Sequence, residues 1–412
     1  MRTKRTLMYV ENAYPQDLRI KNEAELLTDA GYDVTVIAIG IKGQSSTEVI
    51  NGVKVYRVPL LVLFEKTPKK DHGFFGVIAL RLKSVLGYVT EYAYFTSACF
   101  FLSLYILLKN GFDVIHAHNP PDTLCIAAFP FRLIGKKFVF DHHDLCPELY
   151  QSRYETKVAC LQTRLLSFFE WCSLKLASIT IATNESYKEI HVKRGGMKPE
   201  NVFVVRNGPN ESRMKKAEPT TRLRNMGKSI LVYIGSLNPQ DGVDYLIRSL
   251  KILKDEFKRE DFYCIIMGSG DSLKDLKLLT TELELDDHIE LTGYISDEDL
   301  LSNLAAADIC MDPDPASPLN NLSTWIKIME YMAHEKPIVT FDLKETRYSA
   351  QDAAVYVEPN DEEAFARATA ELMDDPDRRK AMGEFARKRV ENELQWTVVG
   401  QNLIKAYEHL TK

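Results

Sequence analysis

The chain has no C-x-x-C pair and no cysteine spacing that would bind a metal. Its seven cysteines, Cys99, Cys125, Cys146, Cys160, Cys172, Cys264 and Cys310, stand singly, mostly in apolar stretches. That excludes a disulfide scaffold and suits reduced core thiols in a cytosolic protein. A G-x-G-x-x-G dinucleotide fingerprint with its trailing acidic residue is missing, which argues against a dehydrogenase. The G-x-x-x-x-G-K-[ST] phosphate loop and the G-x-S-x-G nucleophile elbow are missing as well. So is a basic excess: 52 Lys and Arg against 58 Asp and Glu leave a net charge of −6, unlike a dedicated nucleic-acid binder. The apolar run 7–10 is too short for a signal-peptide core and leads directly to Glu11, so no secretion is expected. The longest uncharged stretch, 92–108, has 17 residues; it falls short of the ~20 that span a bilayer and reads as a buried helix. No solenoid-period repeat and no low-complexity tract occurs.

What is present is a long alternation of strands and helices. At 412 residues the chain is expected to form two domains of ordinary size. Over 1–210, buried-strand patterns at 7–10, 33–39, 53–58, 114–115, 138–140, 179–182 and 202–205 alternate with helical ones, as in a doubly wound α/β domain. Residues 211–228 carry Arg213, Lys215, Lys216, Arg222, Arg224 and Lys228 with almost no apolar residues, and read as a basic linker. A second series over 229–390 has strands at 230–234, 263–267, 289–291, 309–311 and 338–341, and a last helix covers 397–410. The fold class is therefore α/β, two doubly wound Rossmann-like domains facing across a cleft, where a ligand would bind.

Polar residues gather where the strands end, the place open α/β sheets bind ligands. In the second half, Gly235-Ser236, Gly268-Ser269-Gly270 and Gly293-Tyr294 follow strands directly, and glycine there lets backbone approach a phosphate or a base. Ser323 and Thr324 are placed to cap a helix whose free N–H groups attract phosphate. Lys327 would add a cation, and Glu330 would accept hydrogen bonds from a ribose diol. In the first half, His116, His118, His142 and His143 sit at two neighbouring strand ends with Asp141 and Asp144. These residue types suit zinc, but no other part of the chain makes a zinc-hydrolase pattern. Hydrogen bonding to sugar hydroxyls and to a departing phosphate is the reading adopted, most strongly for His118, with no metal expected. Lys66, Lys69, Lys70, Arg81 and Lys83 interleave with Phe64, Phe74, Phe75 and Leu80, a mixture that suits anionic lipid headgroups.

Taken together, the segments DVIHAHNPPDTL, VVRNGP, VYIGSLNPQDGVDYLIRSL, IIMGSG, IELTGYISDEDL, KIMEYMAHEKPIV and QWTVVGQNLIKAYEHL resemble the GT-B glycosyltransferases, specifically glycosyltransferase family 4, over nearly the whole chain. The resemblance implies a nucleotide-sugar donor held by the C-terminal domain, an acceptor on the N-terminal domain, retention of anomeric configuration and no required metal or other cofactor. It also implies that residues 391–412 cross back to the first domain. Carried over by position, Gly268, Gly293, Tyr294 and Ile295 border the base, and Gly235, Ser236, Gly270, Arg206, Asn321 and Leu322 complete the donor set. Glu330 matches the second Glu of E-x7-E, on the ribose, while Ser323, Thr324 and Lys327 fall at the diphosphate. His118 matches the histidine that approaches the transferred sugar; with Lys327 and Glu330 it forms the expected catalytic set. Arg19, Asp122, His143, Asp144 and Glu148 are the expected acceptor contacts. The sequence departs from the pattern where Leu322 replaces the first Glu of E-x7-E and where Ser236 and Asp241 replace the usual Arg and Lys. Asp314, Asn320 or Asn321 would then take over the sugar contact, and Lys327 or Arg206 the charge.

The function implied is a metal-independent, retaining hexosyltransferase. It would use a UDP- or GDP-linked sugar and a lipid-linked or surface-polysaccharide precursor, in the cytoplasm or peripherally on the inner face of the membrane, with no nucleic-acid partner. Two other readings share the fold: a scaffold subunit that has lost catalysis, and a nucleotide-sugar epimerase using Asp144, Glu148 and Glu330 as acid and base.

Overall fold

A computed structural model describes residues 4–61, 74–153, 157–209 and 211–410, without the side chains of 74–86, 88, 153, 157–161, 211 and 212. Phe64, Lys66, Lys69 and Lys70 of the basic and aromatic stretch lie outside the described residues, as do the side chains of Phe74, Phe75, Leu80, Arg81, Lys83 and Cys160. The chain forms two compact units. The first comprises Met1–Pro147, Thr156–Val205 and Gly400–Lys412, and the second comprises Glu148–Glu155 and Arg206–Val399.

The first unit is built on eight strands: β1 (Arg5–Ala13), β2 (Asp33–Gly40), β3 (Thr47–Ile50), β4 (Val53–Pro59), β5 (Val114–His118), β6 (Lys137–His142), β7 (Ile179–Ala182) and β8 (Val202–Val204). They lie in the order β3-β4-β2-β1-β5-β6-β7-β8, all parallel except β3, which pairs antiparallel with β4. Strands such as β2 and β5 are buried along nearly their whole length, as the interior of a sheet covered on both faces requires. Strand order reverses between β1 and β5, so the ends of these two strands flank the switch point at which α/β sheets bind ligands. Sequence reading missed β3, although Asn51-Gly52 between two β-rich runs is a hairpin signal. Both residues take the left-handed φ, 48° and 82°, that such a two-residue turn needs.

The second unit has six parallel strands: β9 (Ser229–Ile234), β10 (Phe262–Met267), β11 (Ile289–Gly293), β12 (Ile309–Asp312), β13 (Ile338–Phe341) and β14 (Ala354–Val357). Their order is β11-β10-β9-β12-β13-β14, which sets the switch point between β9 and β12. The half-buried β14 was also missed.

Three expectations need correction. Residues 211–228 are not a free linker. They form helices Glu211–Met214 and Thr221–Arg224, and Met214 and Leu223 are buried in a core with Ile230, Val232 and Ile328. The uncharged stretch 92–108 is not a buried helix. It ends a longer helix, Phe74–Lys109, that buries Phe95, Cys99, Ser103 and Ile106 on one side while Phe101, Leu104, Tyr105 and Leu108 stay exposed. By length and composition alone, its part Val89–Lys109 suffices to cross a membrane. The last helix is broken at Gly400 into Trp396–Val399 and Gln401–His409. Among the described residues the cysteines are free, with Cys99, Cys125, Cys264 and Cys310 buried.

Candidate functional site

In the second unit, β9, β10 and β11 end side by side. The Gly235 N–H donates to the Met267 carbonyl and the Gly268 N–H to the Gly293 carbonyl, each at 3.1 Å. A Cβ on Gly268 would collide with the Gly235 carbonyl, and one on Gly270 with the backbone of Leu237. Glycine at 268 and 270 is therefore required by the chain's own close approach, whether or not a ligand comes near. Tyr294 is 84% exposed beyond this row, and Ile295 packs on the buried core. Ser236 accepts, through its carbonyl, the Tyr233 hydroxyl at 2.9 Å. Asp241 is turned to structure, its carboxylate accepting the Asn238 N–H at 3.0 Å.

Lys327 is not a free cation. Its Nζ lies 2.7 Å from Asp314 Oδ1 and 3.0 Å from Asp312 Oδ1, and 4.9 Å from the centre of the Tyr233 ring. Burial opposes the ammonium, but the Asp312 and Asp314 charges outweigh it and hold the Lys327 pKa well above its usual value. Burial, and then the charge on Asp312, push Asp314 well above the ordinary carboxylate range. Thr340 steadies the group by donating its hydroxyl to Asp312 Oδ2 at 2.8 Å.

The expected cap is also different. Trp325 occupies the N-cap of helix Ile326–Ala333 and supplies no side-chain bond. Ser323 donates to the Leu319 carbonyl at 2.9 Å, and Thr324 donates to Glu345 at 3.4 Å while accepting from Arg206 at 3.3 Å. Arg206 in turn lies 3.3 Å from Glu345 and stacks 4.0 Å above the Tyr348 ring. Glu330 is on the same helix, one turn beyond Lys327; its Oε1 lies 3.7 Å from Arg213 Nε, and burial pushes its pKa up against the pull of that guanidinium. Asn320 Nδ2 braces Gln240 and Pro315 carbonyls at 2.9 and 2.8 Å. Asn321 and Leu322, half-buried, continue the turn, their N–H groups on the Ser317 and Leu319 carbonyls.

In the first unit, a second cluster stands at the ends of β5 and β6. Residues 141 and 143 share one face of the extended chain, and His142 takes the other, where its Nδ1 meets His191 Nε2 at 2.9 Å. His118 Nδ1 lies 3.1 Å from His143 Nε2 and from Asp141 Oδ2, and His143 Nε2 lies 3.2 Å from that oxygen. Glu23, on helix Leu18–Asp29, completes the group, and His116 reaches Asp141 Oδ2 at 3.4 Å while its other nitrogen meets the Tyr407 hydroxyl at 2.9 Å. Burial, then the neighbouring His116, push the His118 pKa down to about 3, so its imidazole is neutral at neutral pH. Asn119 ties the two strand ends together. Its Oδ1 accepts the His143 N–H at 2.6 Å, and its Nδ2 donates to Asp122 Oδ1 at 3.0 Å and the Asp144 carbonyl at 2.7 Å.

Of the expected acceptor contacts, Arg19, Asp122, His143 and Asp144 gather in this unit. Arg19 is paired with Asp17 at 2.9 Å, and burial with the charge on Glu170 pushes Asp122 up to about 7. Glu148 lies on helix Cys146–Arg153, where the chain passes to the second unit. Sequence reading missed Glu23, Asn119, Asp312 and Tyr407. Glu23 had a signal: it shares the buried stripe of Ile20, Ala24 and Leu27, where a carboxylate demands a partner.

Residues 18–213 match the family described as Glycosyltransferase Family 4, and residues 214–389 match Glycosyl transferases group 1. The chain is 24% identical over 306 residues to the phosphatidylinositol N-acetylglucosaminyltransferase GPI3 subunit of Saccharomyces cerevisiae, covering 72% of this chain and 60% of that protein's length. Among solved structures, it matches sucrose-phosphate synthase from Thermosynechococcus elongatus with a TM-score of 0.75, 17% identity and 99% of both chains covered. Anabaena HepE in complex with UDP matches with a TM-score of 0.68 and 16% identity over 98% of this chain and 100% of that one. At these identities the two structures speak for the fold alone. With both halves matched in order, the chain belongs to the glycosyltransferases of family 4 and group 1, with the GT-B fold.

Proposed function

We propose that this glycosyltransferase moves a hexosyl group, with retention, from a UDP- or GDP-linked donor to a lipid-linked precursor of a surface polysaccharide. It would work peripherally on the cytoplasmic face of a membrane, with no metal on the donor diphosphate. The observation that carries the choice of acceptor is an apolar face on the first unit. Helices Phe74–Lys109, Leu124–Leu133 and Lys157–Leu176 pack side by side, and leave Phe101, Leu108, Phe129, Leu133, Phe168 and Trp171 exposed. Leu108 is 81% and Leu133 72% exposed. Exposed apolar side chains on three neighbouring helices suit the boundary between headgroups and acyl chains. The name of the yeast relative, with its phosphatidylinositol acceptor, supports the same class.

Chemically, retaining transfer needs no protein nucleophile. The departing diphosphate takes the acceptor's proton as the glycosidic bond breaks and the new one forms, and preorganised dipoles lower the barrier. The neutral His118 ring would hydrogen-bond a sugar hydroxyl, Glu330 the ribose, and the first N–H groups of helix Ile326–Ala333 the diphosphate. Gly268, Gly293, Tyr294 and Ile295 would border the base.

A scaffold role is the second reading, and a specific observation favours it. The two side chains expected to neutralise a diphosphate are already in ion pairs, Lys327 with Asp312 and Asp314, and Arg206 with Glu345. A thermal-shift panel of UDP, GDP, ADP and CMP with their sugar conjugates separates the readings, because a ligand bound by the folded state alone raises Tm. The transferase should respond to one nucleotide class and slowly release that nucleoside diphosphate from its sugar conjugate. No shift and no release at millimolar ligand would leave the scaffold.

A further inference from the structure

We propose that Glu23, His118, Asp141 and His143 hold a divalent transition-metal ion, zinc by ligand type, inside the first unit. Three atoms meet at the ends of β5 and β6: His118 Nδ1, His143 Nε2 and Asp141 Oδ2, separated pairwise by 3.1, 3.1 and 3.2 Å. In such a triangle two imidazoles and a carboxylate always leave one contact between like partners. If both nitrogens carry protons toward Asp141, two N–H groups confront each other across 3.1 Å. If one nitrogen is bare, its lone pair faces the carboxylate oxygen. A cation satisfies all three lone pairs at once.

The dimensions agree with that occupant. Zinc ligands about 2.0–2.1 Å from the ion stand about 3.3 Å apart at tetrahedral angles. Glu23 Oε2 lies 4.0 Å from His118 Nδ1, and all four ligand atoms fall within 4.8 Å of one another. A small turn of the Glu23 carboxylate brings it into the fourth position. Burial makes the need for a cation acute. Glu23 is 2%, His118 2%, Asp141 1% and His143 7% exposed, so two carboxylates are enclosed together with the two imidazoles. Buried carboxylates are normally paired or coordinate metals. His116, held by Tyr407, has its Nε2 3.4 Å from Asp141 Oδ2 and is placed to orient that ligand.

An ion on Nδ1 fixes the His118 tautomer, because the ring's proton must then sit on Nε2, a buried nitrogen without a hydrogen-bond partner. The ring would present an N–H donor in one orientation. No step of sugar transfer is assigned to the ion, so the site stands or falls independently of the donor.

The test uses the full chain, stripped with chelator, equilibrated with zinc, desalted and analysed for metal by mass spectrometry. The wild type should retain about one zinc per chain and gain thermal stability from zinc. His143→Ala and Glu23→Gln should retain several-fold less and lose the thermal gain. Cobalt-loaded wild type should show the intense visible absorption of a low-coordinate cobalt centre, which decides the matter even if the variants do not fold. Wild-type protein with neither retained zinc, thermal shift nor cobalt absorption would overturn the site, as would equal zinc in folded variants.

Discussion

Lys327, expected at the donor diphosphate, is also held in the core by two carboxylates. Its ammonium is enclosed with Asp312 and Asp314, so Lys327→Met leaves two carboxyl groups in the core without their cation. That change should lower unfolding stability by about 3–5 kcal/mol in urea titrations. A loss below about 1 kcal/mol would mean that the trio is readily resolvated. Glu11, at the first sheet's switch point, carries a pH signature. Burial, and then the charge on Glu91, push its carboxyl from 4.5 up to about 8. The folded chain thus binds this proton more tightly than the unfolded one. Its contribution is full below about pH 4 and is lost as pH rises through 8. Tm should fall over that window, and Glu11→Gln should flatten the fall; parallel Tm curves for the two proteins would exclude Glu11 as the source. At this scale Lys327, Glu330 and His118 were legible as polar residues at strand or helix ends, but their partners were not. Asp314 and Glu23 come from segments whose approach no local pattern encodes.

Among the elements, helix Phe74–Lys109 is the one whose surface matters most for the proposed acceptor. Phe101 and Leu108 face outward while Phe95, Cys99 and Ile106 face the sheet. Phe101→Glu with Leu108→Glu should therefore cut sedimentation with anionic vesicles several-fold, with stability changed by no more than roughly 0.5 kcal/mol per substitution. Unchanged vesicle binding in the folded double variant would locate membrane contact elsewhere. An almost uncharged helix has no polar stripe to mark its solvent side, which is why 92–108 read as buried all round. Parallel strands were easier: β2, β5, β7 and β13 are short apolar runs closed by polar or glycine residues, and their limits came out within a few residues. The helix ending near Pro337 was legible too, whereas its cap at Trp325 was not, because the Ser323 and Thr324 hydroxyls found bonds to Leu319 and Glu345 instead.

On the scale of the whole molecule, the chain's end belongs with its beginning. Tyr407 meets Tyr32 edge-on at 5.2 Å between ring centres, hydrogen-bonds His116, and is fully buried; Asn402 donates to the Val204 carbonyl at 3.1 Å. Tyr407→Ala should cost about 3–5 kcal/mol, read as lost hydrogen-exchange protection in β5. Tyr407→Phe keeps the ring and should cost only about 1 kcal/mol. Full protection of β5 in the Ala variant would show that the last helix is not needed there. By itself the sequence determined the alternation of elements, the two α/β units and the polar residues at strand ends, because apolar periodicity and glycine or proline stops act over a few neighbouring residues. Only the tertiary structure decided which charges meet, which face of the long helix is bare and where the last helix returns. His116 and Tyr407 stand 291 positions apart, and such contacts follow from the packing of whole sheets rather than from local preference.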